Sequence, residues 1–577
     1  MFYHAGFLML QFSRNTEVAD RQMRAIIFLL TSFGYVDGTF DNRERNFIRD
    51  YIRKLVFERL RRGKPDTDEA MRADLTNKFT QHFLEVFDEI DHHISELLEE
   101  VVAEGESKEA FIHAKLKLRC FEIFRSFDSA SQEELIGSAN ALIAADGSVH
   151  PAEAKFKDEL VGLLRTDQRR ERDSSPPPTG DLKAKPSVIE VSAVIELPPQ
   201  EASPFFDQFE HHYSRDPETL EKQLGADRAL MDQAIEAWAN QRTLGDGSLK
   251  GHTNAHDFDG DAAFLDGHIY VLPVRGRREY DITVLGDLHG CYSNLKAAVA
   301  QSRFFEKLET WKADPASHPE PKLVFLGDYI DRGLFSLNGV LRSVLQIFVS
   351  APEHVFVLRG NHEYYIEYQG QVHGGVVPAE AINTLKPLVP MDVFRHYMRL
   401  FEAMPSALIF DGIFFVHGGV PRDALTEERY VDLSTLNEPE FRFQMMWSDP
   451  ANADFIPAEL QAQSARFAFG RLQAAKFLDR IGCHALVRGH EKFNEGFKQH
   501  WFFDDSHKVF TVFSAGGVGN EDLPLDSIYR KTVPMALTVQ RTGEKLTFTP
   551  WPIDYGHMNQ PERNRFMAAP AEIEHRE

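Results

Sequence analysis

The chain has 577 residues, 43% of them hydrophobic and 26% charged, and a formal net charge of −24. That length allows about three to four domains and a large core, and the acidic balance excludes broad nonspecific attraction to nucleic acid or anionic lipid. Cys120, Cys291 and Cys483 lie far apart and fit a reducing compartment with no disulfide framework. The apolar run at residues 2–12 is too short for a membrane span and lacks an export signal's basic start and cleavage site. It reads as the start of a helix, with a cytoplasmic location expected.

Residues 1–168 read as helical, with apolar residues at helical spacing through 23–30, 47–60, 79–98, 111–124 and 156–164. A short repeat lies within them. Asp37-Gly38-Thr39-Phe40-Asp41-Asn42-Arg43-Glu44 matches Asp146-Gly147-Ser148-Val149-His150-Pro151-Ala152-Glu153 at the first Asp, the Gly and the final Glu. Asp41 with Glu44 has the form of a capping box, and Pro151 with Glu153 that of a helix start. Each motif is then a joint between two helices. The pattern also resembles the TerB-like tellurite-resistance domain, a helical bundle with acidic loops. That resemblance implies an all-α domain at 1–168 that binds a regulator or substrate, in which Asp37, Glu44, Asp146 and Glu153 would meet as an acidic metal-binding pair. An EF-hand does not fit, because glycine directly follows the first Asp.

Residues 169–203, with Ser174-Ser175-Pro176-Pro177-Pro178 and Pro198-Pro199, read as a flexible linker. Within it, 188–197 is apolar enough to form a docked strand. Residues 204–250 form a helical connector with Leu220, Leu224, Leu230, Met231, Ile235 and Trp238 at core-like positions. It is either a collar on the following domain or the end of the preceding one. His211 and His212 are adjacent and would not face each other on a helix, so packing is their expected role. An α/β domain is expected over 251–556, opening with a hairpin at 264–274 broken by Asp266-Gly267. Crossover helices are expected at 295–305 and 337–349, a longer insertion at 364–405, and a fraying polar tail at 557–577.

Five short blocks in the α/β domain each follow an apolar run. They are Gly286-Asp287-Leu288-His289-Gly290, Gly327-Asp328-Tyr329-Ile330-Asp331-Arg332-Gly333, Gly360-Asn361-His362-Glu363, His417-Gly418-Gly419 and Arg488-Gly489-His490. Short apolar runs that stop at glycine read as buried strands, and polar groups at the carboxyl ends of such strands converge on one edge. Asp, His and Asn donors without cysteine suit Mn, Fe or Zn. Asp287, His289, Asp328, Asn361, His417 and His490 would make a two-metal set with Asp328 as the bridge. His373-Gly374-Gly375 is a decoy, since no apolar run precedes it.

At these blocks the chain resembles the phosphoprotein phosphatase family, the metal-dependent serine/threonine phosphatases within the calcineurin-like metallophosphoesterases. Trp447-Ser448-Asp449-Pro450, Phe469-Gly470 and Phe513-Ser514-Ala515 extend the resemblance to roughly residues 281–551. It implies a four-layer αββα sandwich and two divalent metals, Mn²⁺ foremost and Fe or Zn as alternatives. Asp287, His289 and Asp328 would hold the first metal, and Asp328, Asn361, His417 and His490 the second. A hydroxide between the metals would attack phosphorus directly. His362, oriented by Asp331, would protonate the leaving group; Arg332 and Asn361 would bind phosphate; Glu363 would support the site. The expected substrates are phosphorylated proteins.

Two departures stand out. Where the family has a second phosphate-binding arginine, six residues before Phe469-Gly470, this chain has Gln463; Arg466 and Arg471 are the candidates to replace it. After Phe513-Ser514-Ala515 the family continues Pro-Asn-Tyr, but here Gly516-Gly517-Val518 follows, which removes a tyrosine from the rim. Cys291 directly follows the first block; a packing role is favoured over an oxidisable thiol. The alternative function is a nucleotide hydrolase such as the symmetrical dinucleoside tetraphosphate hydrolases. Those generally lack an acid at the position of Asp331, which tilts the reading toward monoesters. An inactive scaffold whose helical domain does the work is a third reading, opposed by retention of all six ligands and the His362–Asp331 pair.

Overall fold

The computed structural model describes residues 16–36, 40–63, 69–97, 107–125 and 151–173, short pieces between them, and 188–567 apart from 202, 259, 261, 275–277 and 502–506. The chain divides into two compact units, Met1–Gly180 and Asp181–Glu577 apart from Ala462–Ser464.

The first unit is helical, with helices Thr16–Gly34, Asn42–Gly63, Glu69–Leu97, Lys108–Arg125 and Pro151–Asp173. Residues spaced by three and four bury one stripe of each of the first three: Met23, Ile26, Leu30 and Phe33; Ile48, Ile52 and Val56; Phe83 and Phe87. The Asn42–Gly63 helix opens on the expected capping box. Asp41 Oδ1 accepts the Glu44 N–H at 2.9 Å, and Glu44 Oε2 accepts the Asp41 N–H at 2.9 Å. Capping therefore occupies the Glu44 carboxylate. Asp37, Asp146 and His150 lie outside the described residues, as does the 2–12 run.

In the second unit two mixed sheets stack face to face. The first runs in the order Val188–Val191, Lys545–Pro552, Met535–Thr542, Tyr280–Leu285, Glu320–Phe325, Val355–Val357. The second runs Phe497–His500, Lys508–Val512, Ala485–Arg488, Ile413–Val416, Ala407–Phe410, Ile269–Leu272, Phe264–Asp266. Alternation along single strands separates two cores: Leu408 and Phe410 join the large core shared with the first sheet, while Ala407 and Ile409 face the second. Aromatic pairs bridge the sheets, Phe510 with Phe548 at 4.8 Å and Tyr280 with Phe410 at 5.1 Å. Helices Tyr292–Ser302 and Arg342–Ser350 add to the large core. Helices Pro439–Trp447 and Arg471–Ile481 cover the second sheet through Phe441, Met445, Phe477 and Leu478. The layers run helix, sheet, sheet, helix.

Two expectations need correction, and one alternative is decided. The linker is shorter than 169–203: the preceding helix continues to Asp173, and Val188–Val191 pairs in parallel with Lys545–Pro552, so the docked-strand alternative holds from residue 188. Burying Ile189 against the large core favours pairing over a free spacer. The tail does not fray at 557. Phe566 is buried, its ring stacked 4.7 Å from Phe335, and Glu210 Oε2 accepts the Arg565 N–H at 2.9 Å, which docks the chain through Met567. The connector is a collar on this unit. Helix Pro217–Gly245 buries Leu224, Leu230, Met231 and Trp238, with Trp238 stacked on Phe348 at 4.8 Å. The Phe264–Asp266 hairpin forms as expected, and among the described residues no helix is long and apolar enough to cross a membrane.

Candidate active site

The five blocks end five strands, three in the first sheet and two in the second. The site is thus built where two sheets meet rather than along one edge. Backbone bonds lace the strand ends together. Leu288 and His289 donate to the Asp328 carbonyl at 3.0 and 2.9 Å, Gly489 donates to the His417 carbonyl at 3.0 Å, and Asp287 bridges to Phe513. Five side chains project from left-handed backbone that non-glycine residues seldom adopt: His289, Asp328, Asp331, Arg332 and His490, with φ between 42° and 69°. A Cβ on Gly360 would lie 2.2 Å from Asp328 Oδ1, and one on Gly489 would lie 2.3 Å from Asp287 Oδ1. Glycine there makes room for the carboxylates.

All six expected metal ligands come together, each at most 7% exposed. Around Asp328 Oδ2 lie His417 Nε2 at 3.3 Å, His289 Nε2 at 3.6 Å and His362 Nε2 at 3.8 Å. Asp287 Oδ2 is 3.7 Å from His289 Nε2. Asn361 Oδ1 faces His417 Nε2 at 2.9 Å and His490 Nδ1 at 3.1 Å. Two groups could each hold a cation, His289 with Asp328 and His362, and Asp328 with His417 and His490. Asp328 belongs to both, as a bridge requires. Neither group includes His373, which sits on the Gln371–Gly374 strand near Tyr368.

The electrostatics fit divalent cations. Burial and the neighbouring Asp328 charge push Asp287 up to about 7. Burial, with Asp331 nearby, takes Asp328 to about 7. Burial holds His289, His362 and His490 well below 6.5, so all three are neutral rings with lone pairs to offer. A ring of buried carboxylates and neutral imidazoles is costly until positive charge enters it. Turned over, the Asn361 amide would instead donate to both imidazoles and to Asp328. An inward oxygen suits a cation and an inward nitrogen suits its absence. The donor set fits two hard or borderline divalent ions.

Backbone and carboxylate partners fix the rings. His289 Nδ1 is 2.9 Å from the Ile330 carbonyl and His417 Nδ1 is 3.0 Å from the Leu326 carbonyl, which aims each Nε2 at Asp328. His362 Nδ1 is 2.7 Å from Asp331 Oδ2. Asp331 Oδ1 in turn accepts the Ala381 N–H at 2.8 Å. Glu363 accepts three backbone N–H groups, from Asp328, Tyr329 and Gly360, at 2.8 to 2.9 Å. It supports the site, as expected.

Of the two arginine candidates, Arg471 pairs with Asp454 at 2.8 Å, away from the ligands. Arg466 bonds Asp449 Oδ2 at 2.7 Å and the His490 carbonyl at 3.2 Å, and its charge lowers His362 and His490. Cys291 is fully buried with its thiol pushed up by burial, which favours packing over oxidation.

Four residues at the site had no assigned part. Asp449 and Arg488 lie in blocks already recognised; they pair at 2.7 Å beside His490. Tyr529 and Glu380 carry no sequence signal. Tyr529 packs its ring 5.3 Å from His289 and 5.6 Å from Phe513 with its hydroxyl toward Arg332. Glu380 pairs with Arg332 at 2.6 Å.

Residues 280–492 match the family model for calcineurin-like phosphoesterases. The catalytic subunit of serine/threonine-protein phosphatase 6 from Caenorhabditis elegans is 29% identical over 258 residues, 42% of this chain and 66% of that protein. A PP2A-like serine/threonine-protein phosphatase of Candida albicans is 30% identical over 249 residues, 41% of this chain and 51% of that protein. A probable serine/threonine-protein phosphatase of Encephalitozoon cuniculi is 26% identical over 239 residues, 41% of this chain and 47% of that protein. The chain spans between about half and two thirds of the length of these relatives. Residues 280–492 thus form a segment of the metallophosphoesterase type.

Proposed function

We propose that the chain is a metal-dependent phosphomonoester hydrolase acting on phosphoserine and phosphothreonine in proteins. Asp287, His289, Asp328, Asn361, His417 and His490 would hold two divalent cations, Mn²⁺ foremost and Fe or Zn next. When bound, such ions supply a nucleophilic hydroxide at neutral pH and offset charge growing on the phosphoryl oxygens.

The chain's own residues do the rest. Arg332 binds phosphoryl oxygens with a guanidinium fork that matches their geometry; Arg466 adds a second positive charge, and the Asn361 amide lies within the same cluster. His362, its Nδ1 held by Asp331, turns Nε2 toward the Asp328 cluster and gives a proton to the leaving alkoxide. Burial first, and then the Arg332 charge, keep that ring neutral before substrate arrives. Asp331 stabilises the imidazolium form from which the proton is given.

The 2.7 Å contact between His362 Nδ1 and Asp331 Oδ2 carries this reading over that of a dinucleoside tetraphosphate hydrolase. Turnover of phosphopeptides, dinucleoside tetraphosphates and cyclic nucleotides with Mn²⁺, beside an Asp328→Asn control, tests it. Phosphopeptides should lead, and preference for a tetraphosphate would overturn the assignment. Retention of the whole constellation argues against an inactive scaffold, and a purified protein lacking two metal equivalents would restore that idea. The helical unit is proposed as a TerB-like recruiter of a regulator or substrate. Equal phosphopeptide turnover by the full chain and by a chain beginning at Asp181, which keeps the 188–191 strand, would count against it.

A further inference from the structure

The insertion between the third and fourth blocks contributes two consecutive residues to the site. From the short helix Glu380–Leu385, the Ala381 N–H donates to Asp331 Oδ1 at 2.8 Å, and the Glu380 carboxylate takes Arg332 Nη1 at 2.6 and 2.8 Å. The Pro378 carbonyl accepts from the same nitrogen at 3.2 Å. Asp331 and Arg332 both sit in left-handed backbone, at φ 67° and 65°, which their own side chains do not favour. Two contacts in register from one turn thus hold two residues of a strained loop. The Arg332 side chain is 8% exposed and that of Glu380 is 39% exposed. The other terminal nitrogen of Arg332, Nη2, is buried and finds no acceptor within hydrogen-bond distance among the described residues, although the Tyr529 hydroxyl is turned toward the guanidinium.

We infer that Glu380 is a positioning residue: it clamps Arg332 through Nη1 so that Nη2 is presented to a phosphoryl oxygen. A charge-assisted contact from one guanidinium nitrogen to both carboxylate oxygens, with the Pro378 carbonyl on the same nitrogen, holds that end of the side chain in place. A buried donor left unpaired is costly, and an oxygen of a bound phosphate is the acceptor that would satisfy it. Pinning the long arginine side chain in advance also removes entropy that binding would otherwise have to spend. The inference rests on the reading of Arg332 as a phosphate ligand.

The test uses the full chain with Mn²⁺, p-nitrophenyl phosphate as substrate and inorganic phosphate as inhibitor. Glu380→Ala should raise KM and the phosphate Ki by about tenfold, the scale of one charge-assisted hydrogen bond, with kcat within about threefold. Glu380→Gln, which keeps an acceptor for Nη1, should recover most of the loss. In an Arg332→Ala background the Glu380→Ala change should add nothing, because the two act as one unit. An unchanged Ki would overturn the inference. A tighter Ki would overturn it as well, since Glu380 would then compete with phosphate for Arg332. Full additivity in the double variant would do the same, marking a merely structural effect. A wild-type chain that hydrolyses no phosphomonoester would defeat the phosphatase reading, and this inference with it.

Discussion

Glu363 Oε2 lies 2.8 Å from the backbone nitrogen of Asp328, the carboxylate shared by both candidate cation groups. Its two oxygens also take the Tyr329 and Gly360 N–H groups at 2.9 Å, so one buried acid ties the second block to the third. Glutamine would set an amide N–H against one of these donors. Glu363→Gln should therefore leave the chain folded but weaken Mn²⁺ binding by about 10–100-fold, the usual cost of losing a ligand's outer partner. Calorimetric titration with Mn²⁺ measures this, and an unaltered affinity would remove Glu363 from the account.

Asp331 bears on proton donation rather than on binding. An amide at this position no longer stabilises a charged His362, so Asp331→Asn should slow steps that need a proton on the leaving group. A serine-like alkyl phosphate, whose alkoxide leaves poorly, should lose about 100-fold in kcat. p-Nitrophenyl phosphate, whose leaving group needs no proton, should lose less than about tenfold. Equal losses on both substrates would mean that Asp331 only shapes the loop.

How much of this was legible from residues alone varies with the range of the forces involved. Each block that follows an apolar run was readable, because strand, glycine and donor are adjacent in sequence: Ile413–Val416 is buried along its whole length and delivers His417 directly. The capping box at Asp41 and Glu44 was readable for the same reason. Val188–Val191 was harder, since a four-residue edge strand acquires its pairing only from Lys545–Pro552, more than 350 positions away. Phe566 looked like one aromatic in a polar tail until Phe335 and Tyr292 gave it a pocket. Glu380 and Tyr529 were illegible because nothing local marks them; tertiary packing alone brings them to Arg332.

The buried acids set a pH dependence with two opposing arms. Burial raises Asp287, Asp328 and Asp522 from 3.8 to about 7, so the folded, metal-free chain holds protons that the unfolded chain has released. Stability from these groups is lost progressively as pH rises from about 4 and is gone once pH has passed about 7. His289, His362 and His490 are held well below 6.5, so the unfolded chain takes up protons that the folded one refuses as pH falls below 6.5. The two arms oppose each other below about pH 6.5 and only the carboxylate loss remains above it, so metal-free protein should melt lower at about pH 8 than at about pH 6. Cations need ionised carboxylates, so stabilisation by Mn²⁺ should be larger at about pH 8 than at about pH 6. Melting curves with and without chelator decide this; a metal-free melting temperature that climbs through pH 8 would refute the assigned burial effects.

Asp449 and Arg466 separate stability from binding within one cluster. Asp449 Oδ1 holds Arg488 Nη2 at 2.7 Å and Oδ2 holds Arg466 Nε at 2.7 Å, while Arg488 is wholly buried. Removing the acid leaves a guanidinium in the core with carbonyl and hydroxyl partners from Gly418, Ser448 and Thr511, and with the Glu491 carboxylate no nearer than 3.6 Å. Asp449→Ala should then cost about 3–5 kcal/mol of stability, the range for breaking a buried ion pair from one side. Arg466 lies nearer the surface, its side chain 12% exposed, and removing it leaves the Asp449–Arg488 pair intact. Arg466→Ala should cost little in chemical denaturation yet raise KM for a phosphomonoester by about tenfold, the scale of one charge-assisted contact to phosphate. The two variants must therefore diverge. If Arg466→Ala proves as destabilising as Asp449→Ala while KM stays fixed, Arg466 braces the loop and does not take the part of the arginine replaced by Gln463.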